Sequence, residues 1–187
     1  LPFSLVIIYI MKIWTIPNLL SFIRLLLVPF IGYSLYYNDT TIALVFIVIA
    51  YSLDLLDGWV ARRFHQVSEF GKAFDPFADK VLYGVIGLVL VIKNFIPLWF
   101  FIFVIVRDGA QLIYGSHIFR KYNSITPSNT LGKIAAFCLA TSLLGAILKI
   151  PYINPYLLII TTFLMFISSC IYIVEIRKFL SEIKHEQ

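Results

Sequence analysis
The chain has 187 residues, of which 60% are hydrophobic and 13% charged, and its formal net charge is +5. A soluble domain carries about twice that share of charge, and with a mean hydropathy of +0.92 the composition excludes an ordinary water-soluble globule. In so apolar a chain the excess of Lys and Arg marks cytoplasmic flanks and contact with anionic lipid, so nucleic-acid binding is excluded as well.

Residues 1–10, LPFSLVIIYI, are apolar and lack the basic region and small-residue cleavage site of a signal peptide. Met11 is read as the biological start. Lys12 and Trp14 read as interfacial anchors, which makes residues 1–17 an N-terminal interfacial segment. Pro17 suits the first turn of a helix and Asn18 lies close to that start, so a first span is predicted over 18–37. Arg24 lies two turns inside it. A charge there needs a partner, unless its long stem carries it to the interface. Asn38 and Asp39 make a short turn.

The second predicted helix, 42–63, is apolar until its C-terminal end, which carries Asp54 and Asp57. They are three apart and share a face, with Gly58 and Ala61 on or near it leaving room for a ligand or a neighbouring helix. The third predicted helix, 71–92, starts at Gly71, and its Asp75 and Asp79, four apart, also share a face. The link over 64–70 is short, which predicts antiparallel neighbours and a convergence of the four carboxylates. Carboxylates at membrane depth are costly and usually functional. Four together stay ionised only beside cations, and an oxygen-only donor set favours a hard ion such as Mg²⁺. Lys80, beside Asp79, reads as local charge neutralisation.

Lys93, Asn94 and Pro97 mark the next turn. A fourth span over 97–119 contains Arg107 and Asp108, read either as an internal ion pair or as phosphate recognition. Residues 120–129 form a polar loop. A fifth span over 130–148 has Gly132 and Lys133 in its first turn, and after a turn at 149–155 a sixth covers 156–176. The tail EIRKFLSEIKHEQ reads as a surface helix, with His185 solvated. Cys138 and Cys170 lie apart in apolar stretches and read as small core or lipid-facing residues. The fold class expected is an all-α membrane protein: a single domain over 1–187, with a six-helix transmembrane bundle at 18–176 and a cytoplasmic tail at 177–187. Each span is long enough for the hydrocarbon core. Lys12, Arg62, Arg63, Lys72, Arg120, Lys121, Arg177, Lys178 and Lys184 lie at one side, and Lys93 and Lys149 at the other. The positive-inside rule places both termini and the aspartate cluster on the cytoplasmic side of a multi-pass cell-membrane protein, read as bacterial.

The order D-x-x-D-G-x-x-A-R, eight residues, then G-x-x-x-D-x-x-x-D is filled by Asp54, Asp57, Gly58, Ala61, Arg62, Gly71, Asp75 and Asp79. It resembles the signature of the CDP-alcohol phosphatidyltransferases. The series Pro17, Asn18, Ser21, Arg24 is similar to the first helix of the phosphatidylglycerophosphate synthase branch. The resemblance implies that phosphatidyl transfers from CDP-diacylglycerol to an alcohol with release of CMP. It implies two Mg²⁺ or Mn²⁺ ions on Asp54, Asp57, Asp75 and Asp79, with Asp79 also the catalytic base. Gly58, Ala61, Arg62 and Gly71 would line the nucleotide end of the lipid, although Arg62 also reads as a cytoplasmic anchor like Arg63. Family members are typically homodimers.

Arg107, Lys133 and Arg177 are expected at the cytoplasmic mouth, where three cations suit an acceptor that is itself a phosphate ester. That favours glycerol 3-phosphate or inositol phosphate. It also admits phosphatidylglycerol, which would make the protein a CMP-forming cardiolipin synthase. The first-helix resemblance favours glycerol 3-phosphate. One departure runs the other way: Val106-Arg107-Asp108 stands where the phosphatidylglycerophosphate branch often has Gly-Arg-Glu, and is more like the cardiolipin synthase branch. The different-class alternative is a divalent-cation transporter, which needs polar residues on a path to both sides. The far-side turns here are short and apolar, and the chain shows no internal repeat.

Overall fold
The computed structural model describes residues 15–63, 69–122, 130–150 and 154–185, and among these every regular element is helical. In chain order they are α1 (Ile16–Tyr36), α2 (Thr40–Arg63), α3 (Glu69–Ile92), α4 (Leu98–Tyr122), α5 (Thr130–Ile147) and α6 (Asn154–His185). Five contain a stretch long and apolar enough to cross a bilayer: Ile16–Tyr36, Thr40–Val60, Leu98–Ile118, Thr130–Ile147 and Pro155–Lys178. The other, α3, has 24 residues, about 36 Å at 1.5 Å each. Its charges are confined to the first half, Glu69 to Lys80. The expected all-α, six-helix architecture is therefore what the described residues adopt. The segment around Met11, Lys12 and Trp14 lies outside the described residues.

The burial pattern is that of a protein dissolved in hydrocarbon. Phe30, Val48, Phe137 and Phe163 are more than half exposed, whereas Ser21, Arg24, Ser142, Thr161 and Ser168 are almost wholly buried. Lipid tails give apolar side chains no reason to turn inward, while polar groups must find each other between helices. Cys138 is half-buried and Cys170 exposed, both as free thiols.

Turn chemistry fixes the helix ends. Thr15 caps α1, its hydroxyl accepting from the Asn18 N–H at 3.4 Å, with Pro17 in the first turn. Helices α1, α3 and α5 close alike. Asn38 (φ 63°), Asn94 (φ 59°) and Lys149 (φ 56°) adopt left-handed backbone. The following N–H then reaches back five residues: Asp39 to Ser34 at 2.9 Å, Phe95 to Leu90 at 2.8 Å and Ile150 to Gly145 at 3.0 Å. Asparagine takes this conformation readily. Lys149 has no such preference, and its ammonium sits 5.2 Å from the centre of the Phe95 ring. Asp39 then starts α2, its Oδ1 accepting from the Ile42 N–H at 3.3 Å.

Most boundaries fall within three residues of those expected. The difference lies in α6, which runs 32 residues without a break through Tyr172 and Glu175 to His185. The charged tail is helical, as expected, and continues the last span without a break, since no Gly or Pro stands between Glu175 and His185 to interrupt it.

The helices pack as two compact units, divided between Val89 and Leu90. In the first, α1 lies along α2. Gly32 of α1 admits α3 closely: a Cβ there would stand 2.9 Å from Val85 Cγ1. In the second, α5 lies along α6, with Ser142 and Thr161 hydroxyls 2.8 Å apart. The Cys138 carbonyl is 2.7 Å from Ser142 Oγ and 3.1 Å from Thr161 Oγ1. Gly32→Leu should cost roughly 1–3 kcal/mol by overpacking and lower the melting temperature in detergent. Gly109→Ala meets nothing within 4 Å and should hold or raise it, since Ala is the better helix former. Equal melting temperatures for the two variants would contradict the α1–α3 contact.

Candidate active site
The four aspartates meet through α1, in the first unit. Asp54 and Asp57 project from the last turns of α2, and Asp75 and Asp79 from the first half of α3. Ser21 and Arg24, three apart on α1, face both pairs. Arg24 Nη1 donates to Asp79 Oδ1 at 2.5 Å and to Asp54, and Nη2 lies 3.4 Å from Asp57 Oδ2. Ser21 Oγ donates to Asp75 Oδ1 at 2.6 Å. It also lies 3.2 Å from Asp57 Oδ2 and from the Pro17 carbonyl. One hydroxyl and one guanidinium thus tie together carboxylates up to 25 residues apart in sequence.

Access differs among the three carboxylates that Arg24 contacts. The Asp57 side chain is 8% exposed, whereas Asp54 and Asp79 keep 37% and 40%. Asp57 is therefore an inner member of the cluster, and Asp54 and Asp79 stand at its open side. Gly58, next to Asp57 in the chain, is half-buried, and Gly71 is buried near the start of α3. Ala61 and Arg62 are in the last turn of α2, and their side chains lie outside the described residues.

The donor set suits a hard cation. One guanidinium cannot offset four ionised carboxylates, and oxygen-only donors of this kind are the type that hard divalent ions take. As they stand, however, no three acidic, His or Cys side chains among the described residues are disposed to hold a metal ion. Arg24 lies among the carboxylates instead.

The profile of the CDP-alcohol phosphatidyltransferase family matches residues 14–173, a stretch that includes Ser21, Arg24 and all four aspartates. The chain belongs to that family. It is similar to the cardiolipin synthase (CMP-forming) of Rattus norvegicus, 37% identical over 130 residues, which is 69% of this chain and 42% of that protein. A "probable cardiolipin synthase (CMP-forming)" of Drosophila melanogaster is 37% identical over 123 residues, 65% of this chain and 38% of that protein. The CDP-diacylglycerol--glycerol-3-phosphate 3-phosphatidyltransferase of Aquifex aeolicus is 32% identical over 162 residues, 85% of this chain and 90% of that protein. The chain thus spans less than half the length of these two cardiolipin synthases and nearly all of the Aquifex protein.

The three cations expected at the acceptor lie in the second unit. Arg107 is engaged: Nη1 donates to Asp108 Oδ1 at 2.8 Å, Nε to Ser169 Oγ at 3.1 Å and Nη2 to Ser168 Oγ at 3.3 Å. The ion pair lies within the Arg107-Asp108 dipeptide itself, and the other donors reach serine hydroxyls of α6. Lys133 and Arg177 are exposed. Sequence reasoning omitted Ser21 and Arg24 from the site. The signal was present, since a charge two turns inside an apolar helix needs an anion. The reading that carries Arg24 to the interface fails, because the residue is 1% exposed.

Proposed function
We propose that this protein transfers the phosphatidyl group of CDP-diacylglycerol to glycerol 3-phosphate, releasing CMP and forming a phospholipid precursor at the cytoplasmic face of a bacterial cell membrane. The observation that carries this reading is the gathering of Asp54, Asp57, Asp75 and Asp79 around Arg24 and Ser21 in a chain of this family. The family uses CDP-diacylglycerol and an alcohol acceptor in membranes and generally depends on divalent metal.

Asp54, Asp57, Asp75 and Asp79 would hold two Mg²⁺ or Mn²⁺ ions, which when bound neutralise the charge that builds on the diphosphate. Gly58, Ala61, Arg62 and Gly71 lie beside these aspartates in the chain and would line the nucleotide end. Asp79, at the open side of the cluster, accepts the proton of the acceptor hydroxyl. The hydroxyl oxygen forms a bond to the phosphorus nearest the lipid. The bond from that phosphorus to the bridging oxygen breaks, and its electron pair leaves with CMP. Arg107, Lys133 and Arg177 would recognise the acceptor phosphate, and the working unit would be a homodimer.

Glycerol 3-phosphate is favoured because the relatives named for it align over nearly their whole length, 90% for the Aquifex aeolicus protein and 96% for that of Rickettsia felis. A second reading, cardiolipin synthesis from phosphatidylglycerol, is supported by the higher identity, 37%, to the rat protein. Purified protein with CDP-diacylglycerol and Mg²⁺, given glycerol 3-phosphate or phosphatidylglycerol in separate trials, should release CMP faster with the former. Faster release with phosphatidylglycerol would reverse the assignment.

The pocket is tested at Lys133, which is exposed. Lys133→Ala should raise the KM for glycerol 3-phosphate roughly 10-fold or more, as loss of a charged hydrogen bond of about 1.5–3 kcal/mol implies. The KM for CDP-diacylglycerol should stay nearly constant. If Lys133 only anchors α5 to lipid phosphates, the well-folded variant will show an unchanged acceptor KM.

A further inference from the structure
Arg24 is an unusual residue to find at the centre of a metal-binding carboxylate cluster. It is 1% exposed, and its guanidinium contacts Asp54, Asp57 and Asp79 together. Its Nε–H is buried, with no acceptor among the described residues. The side chain is thus spent on the carboxylates at the expense of its own full satisfaction. A carboxylate oxygen that accepts from Arg24 Nη1 offers a weakened lone pair to any other cation. Asp54 and Asp79, whose side chains are 37% and 40% exposed, are the ones that share Nη1. Ser21, by contrast, holds Asp75 and approaches Asp57 without adding charge.

We propose that Arg24 is the site's built-in counter-cation: it holds the carboxylates together in the metal-free protein and competes with divalent ions for Asp54 and Asp79. This deepens the functional reading given above and rests on it. Two cations on the same oxygens repel each other, so occupancy by one weakens the other. A buried carboxylate cluster that loses its guanidinium is left uncompensated and destabilised. Arg24 therefore acts on metal affinity in the direction opposite to a supporting residue. Removing an outer partner of a metal ligand ordinarily weakens binding, whereas removing a competing cation strengthens it. The consequence for the enzyme is a site that stays folded without metal and binds it weakly enough to exchange.

The test measures binding of Mn²⁺ alone, by the electron-paramagnetic-resonance signal of the free ion, to the purified full chain in detergent. Arg24→Gln should bind Mn²⁺ roughly 10-fold or more tightly than wild type, and Arg24→Lys, which keeps one charge, should fall between them. Thermal melting supplies a second readout. Without metal Arg24→Gln should melt below wild type, and saturating Mn²⁺ should raise its melting temperature more than it raises that of wild type. If Arg24→Gln folds only with metal present, that larger rescue is itself the expected result. Unchanged or weaker Mn²⁺ binding by Arg24→Gln, with an equal or smaller thermal rescue, would overturn the inference while leaving the metal reading intact. Failure of wild type and both variants to bind Mn²⁺ would overturn the metal reading and this inference together.

Discussion

Asp79→Asn should lower turnover by roughly 10²–10⁴-fold, the usual contribution of a positioned base, while CDP-diacylglycerol still binds. Asp79 is the residue whose role calls for both anchorage and access. Its Oδ1 accepts from Arg24 at 2.5 Å, and 40% of its side chain is exposed. Asparagine keeps an oxygen to accept from Arg24, so the fold and most of the cluster should survive. What it cannot do is take a proton from the acceptor hydroxyl. The measurement is single-turnover CMP release beside equilibrium binding of the CDP-lipid. Equal losses in both would leave Asp79 no separate role as base.

Asp57→Asn should fail differently. Asp57 is the inner carboxylate, 8% exposed on its side chain, contacted by both Ser21 and Arg24. Loss of its charge should weaken Mn²⁺ and CDP-lipid affinity by at least about 10–100-fold, a range that even outer partners of metal ligands reach. Activity should fall with affinity. Titration of Mn²⁺ into the variant checks it. Wild-type affinity would remove Asp57 from the ligand set and shift the inner position to Asp75.

These two residues also show how far the sequence alone could reach. Both pairs were legible because a helix repeats every 3.6 residues: three and four residue spacings put Asp54 with Asp57, and Asp75 with Asp79, each on one face. The turns were legible too. Asn38 and Asn94 are residues that accept the left-handed backbone their helix ends require. Lys149 takes the same conformation with no such preference, and its contact with Phe95 spans 54 residues that no local pattern connects. The convergence itself was expected from the short link between α2 and α3. In the structure it is made by side chains of a third helix, α1. Nothing in one-dimensional spacing tells Arg24 that its anions lie 30, 33 and 55 residues away. The need for an anion was legible, but the identity of that anion was not.

The acceptor cations were the least legible part. Lys133 stands in the first turn of α5, whereas Arg107 lies near the middle of α4 and Arg177 eight residues before the end of α6. Whether they act on a phosphate depends on packing that spacing does not encode. Arg107 illustrates the point, since its neighbour Asp108 and two serines of α6, 61 and 62 residues on, take up its donors.

The central claim is that this carboxylate cluster drives metal-dependent transfer of a phosphatidyl group. The most direct measurement is CMP release by the purified protein from CDP-diacylglycerol, with acceptor present, in Mg²⁺, in excess EDTA, and after Mg²⁺ or Mn²⁺ is restored. The account predicts release in Mg²⁺, none above background in EDTA, and recovery on restoration. Full release in EDTA would contradict it.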